Sequence, residues 1–477
     1  MICLVEVVLE HSMEFPDKTA IVFDDACITY KELEDKIYSF AHTLKSKKIS
    51  KGSRIVIEAD NLTGYFCSFL GCQLYSCIAV PIEKNVSIYR LQEILKATKP
   101  KLVFFKDSGE NYEEYFQCNI QDELKKTFSY PKMDTECAII SSTGTTGNAV
   151  LISHTNRSML ATAQNLSQGT NITKDTVLFC NIPFHLASGY RRVMAALYQG
   201  ATAVVTNETI TLDKLAESIR KQHINHLATT HSLLRFITEE EISNEFLQGV
   251  KYVESASGPL FSHTVMHFHK RFPETVLYNV YGTTESGCIL INDTSINYTE
   301  GCIGKPTCNA SICLVDENRQ EIKEPGKYGY VAVTGDMNMS GYYHKKSLTE
   351  KVMLNNRIIL KDIVYFDEDG YYYFVSRVGD IINVNGHKVI PSDIENIASQ
   401  YAGVEDCGCI AKGDAQLGQV PILYVECKDK NNFDFEGLKS YLTKHLEPYK
   451  VPKEILPIER IPRTSTGKLM RKSLQVL

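Results

Sequence analysis

The chain contains no tryptophan, no Cys-x-x-Cys pair, no basic surplus and no apolar run of membrane-spanning length. Most of these absences exclude a class of function. Fifteen cysteines are present, but none is spaced with another Cys or a His as zinc ligands are, and the closest pair is Cys407-Gly408-Cys409. Zinc-ribbon and disulfide-scaffold readings therefore fall away. Scattered cysteines of this kind are expected as small buried apolar residues in a reducing cytoplasm. A formal charge of −6 leaves no footprint for nucleic acid. The cluster Lys45-Ser46-Lys47-Lys48 reads as a solvated helix end. The N-terminus, Met1 to Val8, has no basic start, and Glu6 and Glu10 interrupt its apolar run, so it is not a secretory signal. No segment approaches the roughly 20 apolar residues a membrane helix needs. The missing tryptophan carries no functional reading.

What is present is a soluble, globular composition. The 477 residues are 43% hydrophobic and 23% charged, too long a chain for one ordinary core. Strand-like and helix-like segments alternate over the first 300 residues. Ile21-Val22-Phe23, Arg54–Ile57, Ile78–Val80, Lys101–Phe105, Val177–Cys180, Ala201–Val205 and Val250–Ser255 read as strands. Thr29-x-x-Glu32 reads as a capping box, followed by Leu33, Ile37, Phe40, Ala41 and Leu44 at helical spacing. A helix of small and apolar residues is expected from about Leu62 to Tyr75. Such alternation predicts parallel sheets covered by helices. After Gly301 the pattern becomes strand-rich without helices, which predicts an antiparallel, barrel-like subdomain. Beyond Gly379 a compact unit of about 100 residues follows, a reasonable domain size. It carries a helix with Ile394, Ile397, Ala398 and Tyr401, a strand at Ile422–Cys427 and a second helix from near Asp434. The expected domains are 1–378 and 379–477.

Several strings carry chemistry. Ser141-Ser142-Thr143-Gly144-Thr145-Thr146-Gly147 follows the apolar strand Cys137–Ile140. Glycines can turn backbone N–H groups toward an anion and hydroxyls add donors, which suits phosphates. A plain Gly/Thr turn reads the same way. Tyr281-Gly282-Thr283-Thr284-Glu285 follows the strand Thr275–Leu277, and its carboxylate is a hard oxygen ligand for magnesium. Asp369-Gly370 between apolar runs is a hairpin signal. A two-residue loop there pairs Glu368 with Tyr371 and, counting back, sets Asp362 opposite Arg377, with side-chain bases about 5 Å apart. That pair is either a simple cross-strand salt bridge or part of a site. Asn385-Gly386 is a second hairpin signal. Near the C-terminus, Lys468 follows Thr466-Gly467 and is a flexible cation able to reach a phosphate.

In this order the three strings around Thr143–Gly147, Tyr281–Glu285 and Gly467-Lys468 resemble the adenylate-forming enzymes. That superfamily includes acyl-CoA synthetases, peptide-synthetase adenylation domains and beetle luciferases. The resemblance covers nearly the whole chain and implies an α/β N-terminal domain and a small mobile α+β C-terminal domain. It implies an ATP- and Mg²⁺-dependent activation of a carboxylate as acyl-AMP, then transfer to coenzyme A. A separate carrier protein bearing phosphopantetheine is the alternative acceptor, and a nucleotide-binding protein with weak catalysis a third reading. Carried over residue by residue, Thr143, Gly144, Thr145, Thr146 and Gly147 would hold the outer phosphates. Ser257 and Gly258 would lie beside adenine, with Tyr281 stacking near it and Gly282 and Thr283 continuing the same nucleotide-binding string. Thr284 would contact the α-phosphate and Glu285 would hold the metal. Asp362 would bind the ribose hydroxyls with Arg377 beside it, and Lys468 would bridge carboxylate and α-phosphate. Gly379, followed by Asp380, maps to the hinge, where the family more often has Asp or Lys, and Gly386 maps near the thiol tunnel. The phosphate loop departs from the family: Asn148-Ala149-Val150 replaces the usual Pro-Lys-Gly, about two residues short and without its lysine. That bears on ATP affinity and rate rather than on reaction type. His185, in Asn181–Tyr190, stands where amino-acid-specific domains carry an Asp, which points to an aryl or aliphatic acid. By itself His185 is as readily a hydrogen-bonded residue at a helix start. Ala228, Thr229, Ser257, Gly282 and Cys288 are the other expected pocket walls.

Overall fold

In a computed structural model the chain is described at residues 2–23, 26–59, 62–104, 115–116, 122–142, 150–206, 210–239, 242–256, 258, 260–354, 357–427, 429–430, 432–464 and 467–475. Two sheets sandwich a layer of helices. The smaller has six strands among the described residues. Arg54–Glu58, Ile78–Ile82, Leu102–Phe104 and Glu136–Ser141 run parallel in it, and Leu151–Thr155 turns back antiparallel. The larger sheet, 15-stranded among the described residues, has a parallel centre of Val177–Cys180, His226–Thr230, Tyr252–Ala256 and Val276–Thr283. It becomes antiparallel from Gly287 onward, as the strand-rich sequence after Gly301 predicts.

The helices between the sheets are the apolar ones. Leu62–Tyr75 buries Phe66, Phe69 and Leu70 completely, and Gly71 lets it approach its neighbour, because a Cβ there would lie 2.9 Å from Phe40. Thr29 and Glu32 form the expected reciprocal cap of the helix Tyr30–Ser46. The same core holds Met159, Ala163, Tyr190 and Met194 from the helices Asn156–Gly169 and Ala187–Tyr198. An unanticipated helix, Leu4–Glu14, closes this layer. Glu6 and Glu10 sit one turn apart on it while Leu4, Val5, Val8 and Leu9 are buried.

The C-terminal unit has its own sheet, five-stranded among the described residues, and its own core of Ile382, Val389, Ile394, Leu423, Leu438 and Leu442. Its first hairpin turns at Asn385 and Gly386 with φ of 48° and 88°, the left-handed pair that Asn-Gly favours. Gly379, where this unit begins, has φ of +96°, a region L side chains rarely adopt. No helix among the described residues is long and apolar enough to cross a membrane.

Candidate active site

The strand Val276–Thr283 leaves the centre of the large sheet and folds back as Gly287–Asp293, so residues 284–286 form the tip, with Thr284 and Glu285 half-buried and Ser286 buried. Gly282 is required at the neck of this hairpin. A Cβ there would lie 2.1 Å from the Gly287 carbonyl oxygen. The tip is held from outside the hairpin. Arg191 donates to the carbonyls of Thr283 at 2.9 Å and Thr284 at 3.0 Å. The Met339 N–H donates to the Glu285 carbonyl at 2.7 Å, and the Tyr342 hydroxyl to Glu285 Oε1 at 3.1 Å. Burial and the Glu285 carboxylate raise the Tyr342 phenol, keeping it a donor. Thr283 Oγ1 accepts from the Ser286 N–H at 3.1 Å. Oε2 of Glu285 has no hydrogen-bond partner among the described residues.

Asp362 and Arg377 meet as the hairpin count requires, but by a different route. The tip is a three-residue loop, with Asp367 N bonded to the Tyr371 carbonyl and Gly370 at φ +77°. Phe366 therefore pairs with Tyr372, one residue off the expected register. An irregularity between Ile363 and Val364 restores the count, so Asp362 does face Arg377. The Arg377 Nε–Asp362 Oδ1 distance is 2.7 Å, and the Tyr281 hydroxyl donates to Oδ2 at 2.5 Å. Asp362 is 2% exposed. The Asp362 charge raises the Arg377 guanidinium, and burial, then Asp362, raises the Tyr281 phenol well above its ordinary range. Each carboxylate oxygen keeps one further lone-pair direction, which is what a vicinal diol would use.

Lys468 reaches this place from the C-terminal unit. Arg463 clamps Asp406 at 2.7 Å through both Nε and a terminal nitrogen, and donates to the Gly467 carbonyl at 2.8 Å. Thr464 Oγ1 accepts the Lys468 N–H at 3.1 Å. Gly467, at φ +84°, presses the turn against the large domain, where its Cβ position lies 2.9 Å from Ser232 Oγ. Lys468 then lines the same cleft as Gly282, Thr283 and Thr284. Burial, and after it the Arg377 charge, lower its ammonium pKa, while Asp362 and Glu285 pull it back up. No ion pair satisfies it among the described residues.

The cleft continues inward along Leu166, Leu186, Ala187, Ser188, Val280 and Cys288. Below lies a fully buried network: Arg192 Nε to Glu254 Oε2 at 2.8 Å, with His226 Nε2 and Glu254 Oε1 2.9 Å apart. Burial opposes ionisation of Glu254, but the Arg192 charge and the His226 hydrogen bond override it and hold the carboxyl at about 2. Cys288 lines the pocket as expected, but burial pushes its thiol to about 12, so it is a wall and not a nucleophile.

The other expected residues divide. Thr143, Gly144, Thr145, Thr146, Gly147 and Ser257 lie outside the described residues. Gly258 packs against His231, at 3.4 Å from its Cβ position. His185 stands at the turn before the helix Ala187–Tyr198, and burial lowers it to about 4. Neither His185 nor Ala228 is among the residues lining the cleft; Ala187, Ser188 and Ala256 are. Thr229 is buried, its hydroxyl bonded to the Glu254 carbonyl. Asp380 lies 3.5 Å from Arg471, and Gly386 occupies an open hairpin tip away from the cleft lining. Sequence reasoning missed Arg191 and Tyr342. Two adjacent arginines in the otherwise small and apolar helix Ala187–Tyr198 were the available signal for the first; nothing local marked the second.

Comparison with known proteins follows the same outline. The AMP-binding enzyme family matches residues 9–343, and the AMP-binding enzyme C-terminal domain matches 393–468. The 2-succinylbenzoate–CoA ligase of Staphylococcus epidermidis is 25% identical over 98% of this chain and 96% of its own length. That of Bacillus subtilis is 23% identical over 98% and 96%. Among solved structures, ATP-bound MatB from Rhodopseudomonas palustris superposes with a TM-score of 0.89 at 18% identity, covering 99% of this chain and 98% of that one. The B. subtilis o-succinylbenzoate CoA synthetase bound to ATP and magnesium gives 0.86 at 22% identity, covering 98% and 99%.

Proposed function

This chain belongs to the AMP-binding enzyme family, and from that premise we propose that it is an ATP-dependent, AMP-forming ligase joining an aryl acid to coenzyme A. The observation that carries this reading is that Thr284 and Lys468 line one cleft and the Asp362 and Glu285 carboxylates act on the Lys468 ammonium, although they come from segments nearly 200 residues apart. Asp362 is suited to the ribose diol, with Tyr281 and Arg377 fixing its carboxylate. Gly258 is assigned to the adenine side; Ser257 and Thr143–Gly147, outside the described residues, keep the adenine and outer-phosphate roles that the family resemblance implies. Magnesium, when bound, neutralises phosphate oxygens. Glu285 offers it one unpartnered hard oxygen, and no cage of three His, Cys, Asp or Glu exists among the described residues. The site thus fits a metal shared with nucleotide phosphates rather than one held by protein alone.

In the first step the carboxylate attacks the α-phosphorus and pyrophosphate leaves. Lys468 and the Thr284 hydroxyl offset the negative charge that gathers there. The product carries AMP, a far better leaving group than oxide. In the second step a thiol attacks the acyl carbon and AMP departs. For this the unit 379–477 turns about Gly379, bringing the Gly386 hairpin to the thiol path in place of Lys468. No carboxylate is among the described residues lining the pocket, so nothing there would pair an ammonium, which supports an aryl acid over an amino acid; the CoA-ligase relatives support coenzyme A over a carrier protein as acceptor.

The test is carboxylate-dependent ATP–pyrophosphate exchange over a panel of aryl, aliphatic and amino acids, followed by thioester formation with coenzyme A or a carrier protein. Exchange is expected with aryl acids. Silence across the panel, with ATP still bound, would leave only a nucleotide-binding protein.

A further inference from the structure

Two adjacent arginines, Arg191 and Arg192, are among the residues lining the cleft, yet they are only 6% and 2% exposed. Buried charges are kept only with partners. Arg192 has the Glu254 carboxylate. Arg191 has no carboxylate among the described residues; its fork is spent on the consecutive carbonyls of Thr283 and Thr284. Those carbonyls belong to the hairpin tip that presents Thr284 and Glu285. With Met339 on the Glu285 carbonyl, three consecutive peptide groups are fixed from outside. A planar guanidinium on two successive carbonyls sets both peptide planes at once, which a lysine ammonium cannot do.

We infer that Arg191 is a positioning residue for both half-reactions, holding the Thr283–Glu285 tip in the one orientation that faces the nucleotide. The inference rests on the adenylation reading above. Arg191 belongs to the large domain, as the tip does, so its grip does not depend on where the small domain stands. Its buried, uncompensated charge also supplies a fixed positive field beside a cleft meant for anions, in a chain whose phosphate loop has no lysine.

The experiment compares Arg191→Gln, Arg191→Lys and Lys468→Ala in the full chain. Both half-reactions are measured: pyrophosphate exchange, and thioester formation from a supplied acyl-adenylate. Wild-type exchange is established first, and its absence would count against the adenylation reading itself. Arg191→Gln is expected to lower kcat of both half-reactions by about 30-fold or more, with KM for the acid within about threefold. Arg191→Lys, which keeps the charge but not the fork, is expected to recover less than a tenth of the lost rate. Lys468→Ala is expected to impair only the first half-reaction. A folded Arg191→Gln with wild-type kcat, a loss confined to one half-reaction, or full rescue by lysine would overturn the inference. If the glutamine variant does not fold, a folded Arg191→Lys at wild-type rates overturns it equally.

Discussion

Replacing Lys468 by methionine keeps the stem of the side chain and removes only its charge. The ammonium enters a cleft where burial and the Arg377 charge both disfavour it, and Asp362 and Glu285 offset only part of that. In the role proposed above, its partner is the anion gathered at the α-phosphorus. A unit charge about 4 Å from an anionic oxygen, at an effective dielectric of about 20, contributes roughly 4 kcal/mol. At 1.36 kcal/mol per tenfold this is about 10³ in rate. Lys468→Met should therefore lower pyrophosphate exchange about a thousandfold, with bound-ATP affinity changed far less. Thioester formation from supplied acyl-adenylate should stay within about threefold, because that step uses the other placement of the small domain. Gly467→Ala should push the same way without touching the charge. It strains a φ of +84° and crowds Ser232 Oγ at 2.9 Å, so the closed arrangement is disfavoured. Undiminished exchange in Lys468→Met, or equal loss in both half-reactions, would refute the role given to this side chain.

Glu254 has its carboxyl lowered from 4.5 to about 2 in the folded protein. A depressed folded-state value means the stabilisation is complete above pH 4.5 and disappears as pH falls toward 2, about 3 kcal/mol in all. Urea midpoints at successive pH values should fall over that window, and Arg192→Met, which strands the buried carboxylate, should cost about 3–5 kcal/mol already at pH 7. Tyr281→Phe removes the 2.5 Å donor to Asp362 while Arg377 stays, and a hydrogen bond to a charged group is worth about 1.5–3 kcal/mol; KM for ATP should rise roughly tenfold, and an unchanged value would separate Asp362 from the ribose. Because Lys468 is buried without a counter-ion, the closed arrangement is costly until anions arrive, so ATP with magnesium should compact the chain in small-angle scattering and protect the half-exposed Val378 beside the hinge from proteolysis, whereas adenosine should not.

The sheets and most helices were legible because their signals are local. The Thr29 capping box, the apolar Leu62–Tyr75 segment and the Asn385-Gly386 turn each state their own geometry within a few residues. The N-terminal helix was obscured because Glu6 and Glu10 break an apolar run in the sequence, yet in space they mark one face. The Asp362–Arg377 pair was reached through two departures that cancel: a loop one residue longer than the Asp-Gly rule suggests, and a bulge that returns the strand to phase. Counting from a turn is therefore safe only up to the first bulge.

The limit of sequence reading at the site is of another kind. Thr284, Glu285, Asp362 and Lys468 could be named because each sits in a string with its own grammar. What holds them has none. Arg191 acts through carbonyls some 92 residues away in the chain, and Tyr342 reaches back 57 to Glu285. Carbonyls are common to every residue, so no side-chain pattern at positions 283 and 284 announces that they need an arginine. The only trace is an expense: two adjacent charges in a helix that is otherwise Ala, Ser, Gly, Val, Met and Leu with two tyrosines. Such a helix would be more easily buried without them, so each guanidinium must answer to something specific. Arg192 answers to Glu254. Arg191 answers to the backbone that presents Thr284 and Glu285, the pair proposed to face the nucleotide, which makes the orientation of that tip a property of the large domain alone.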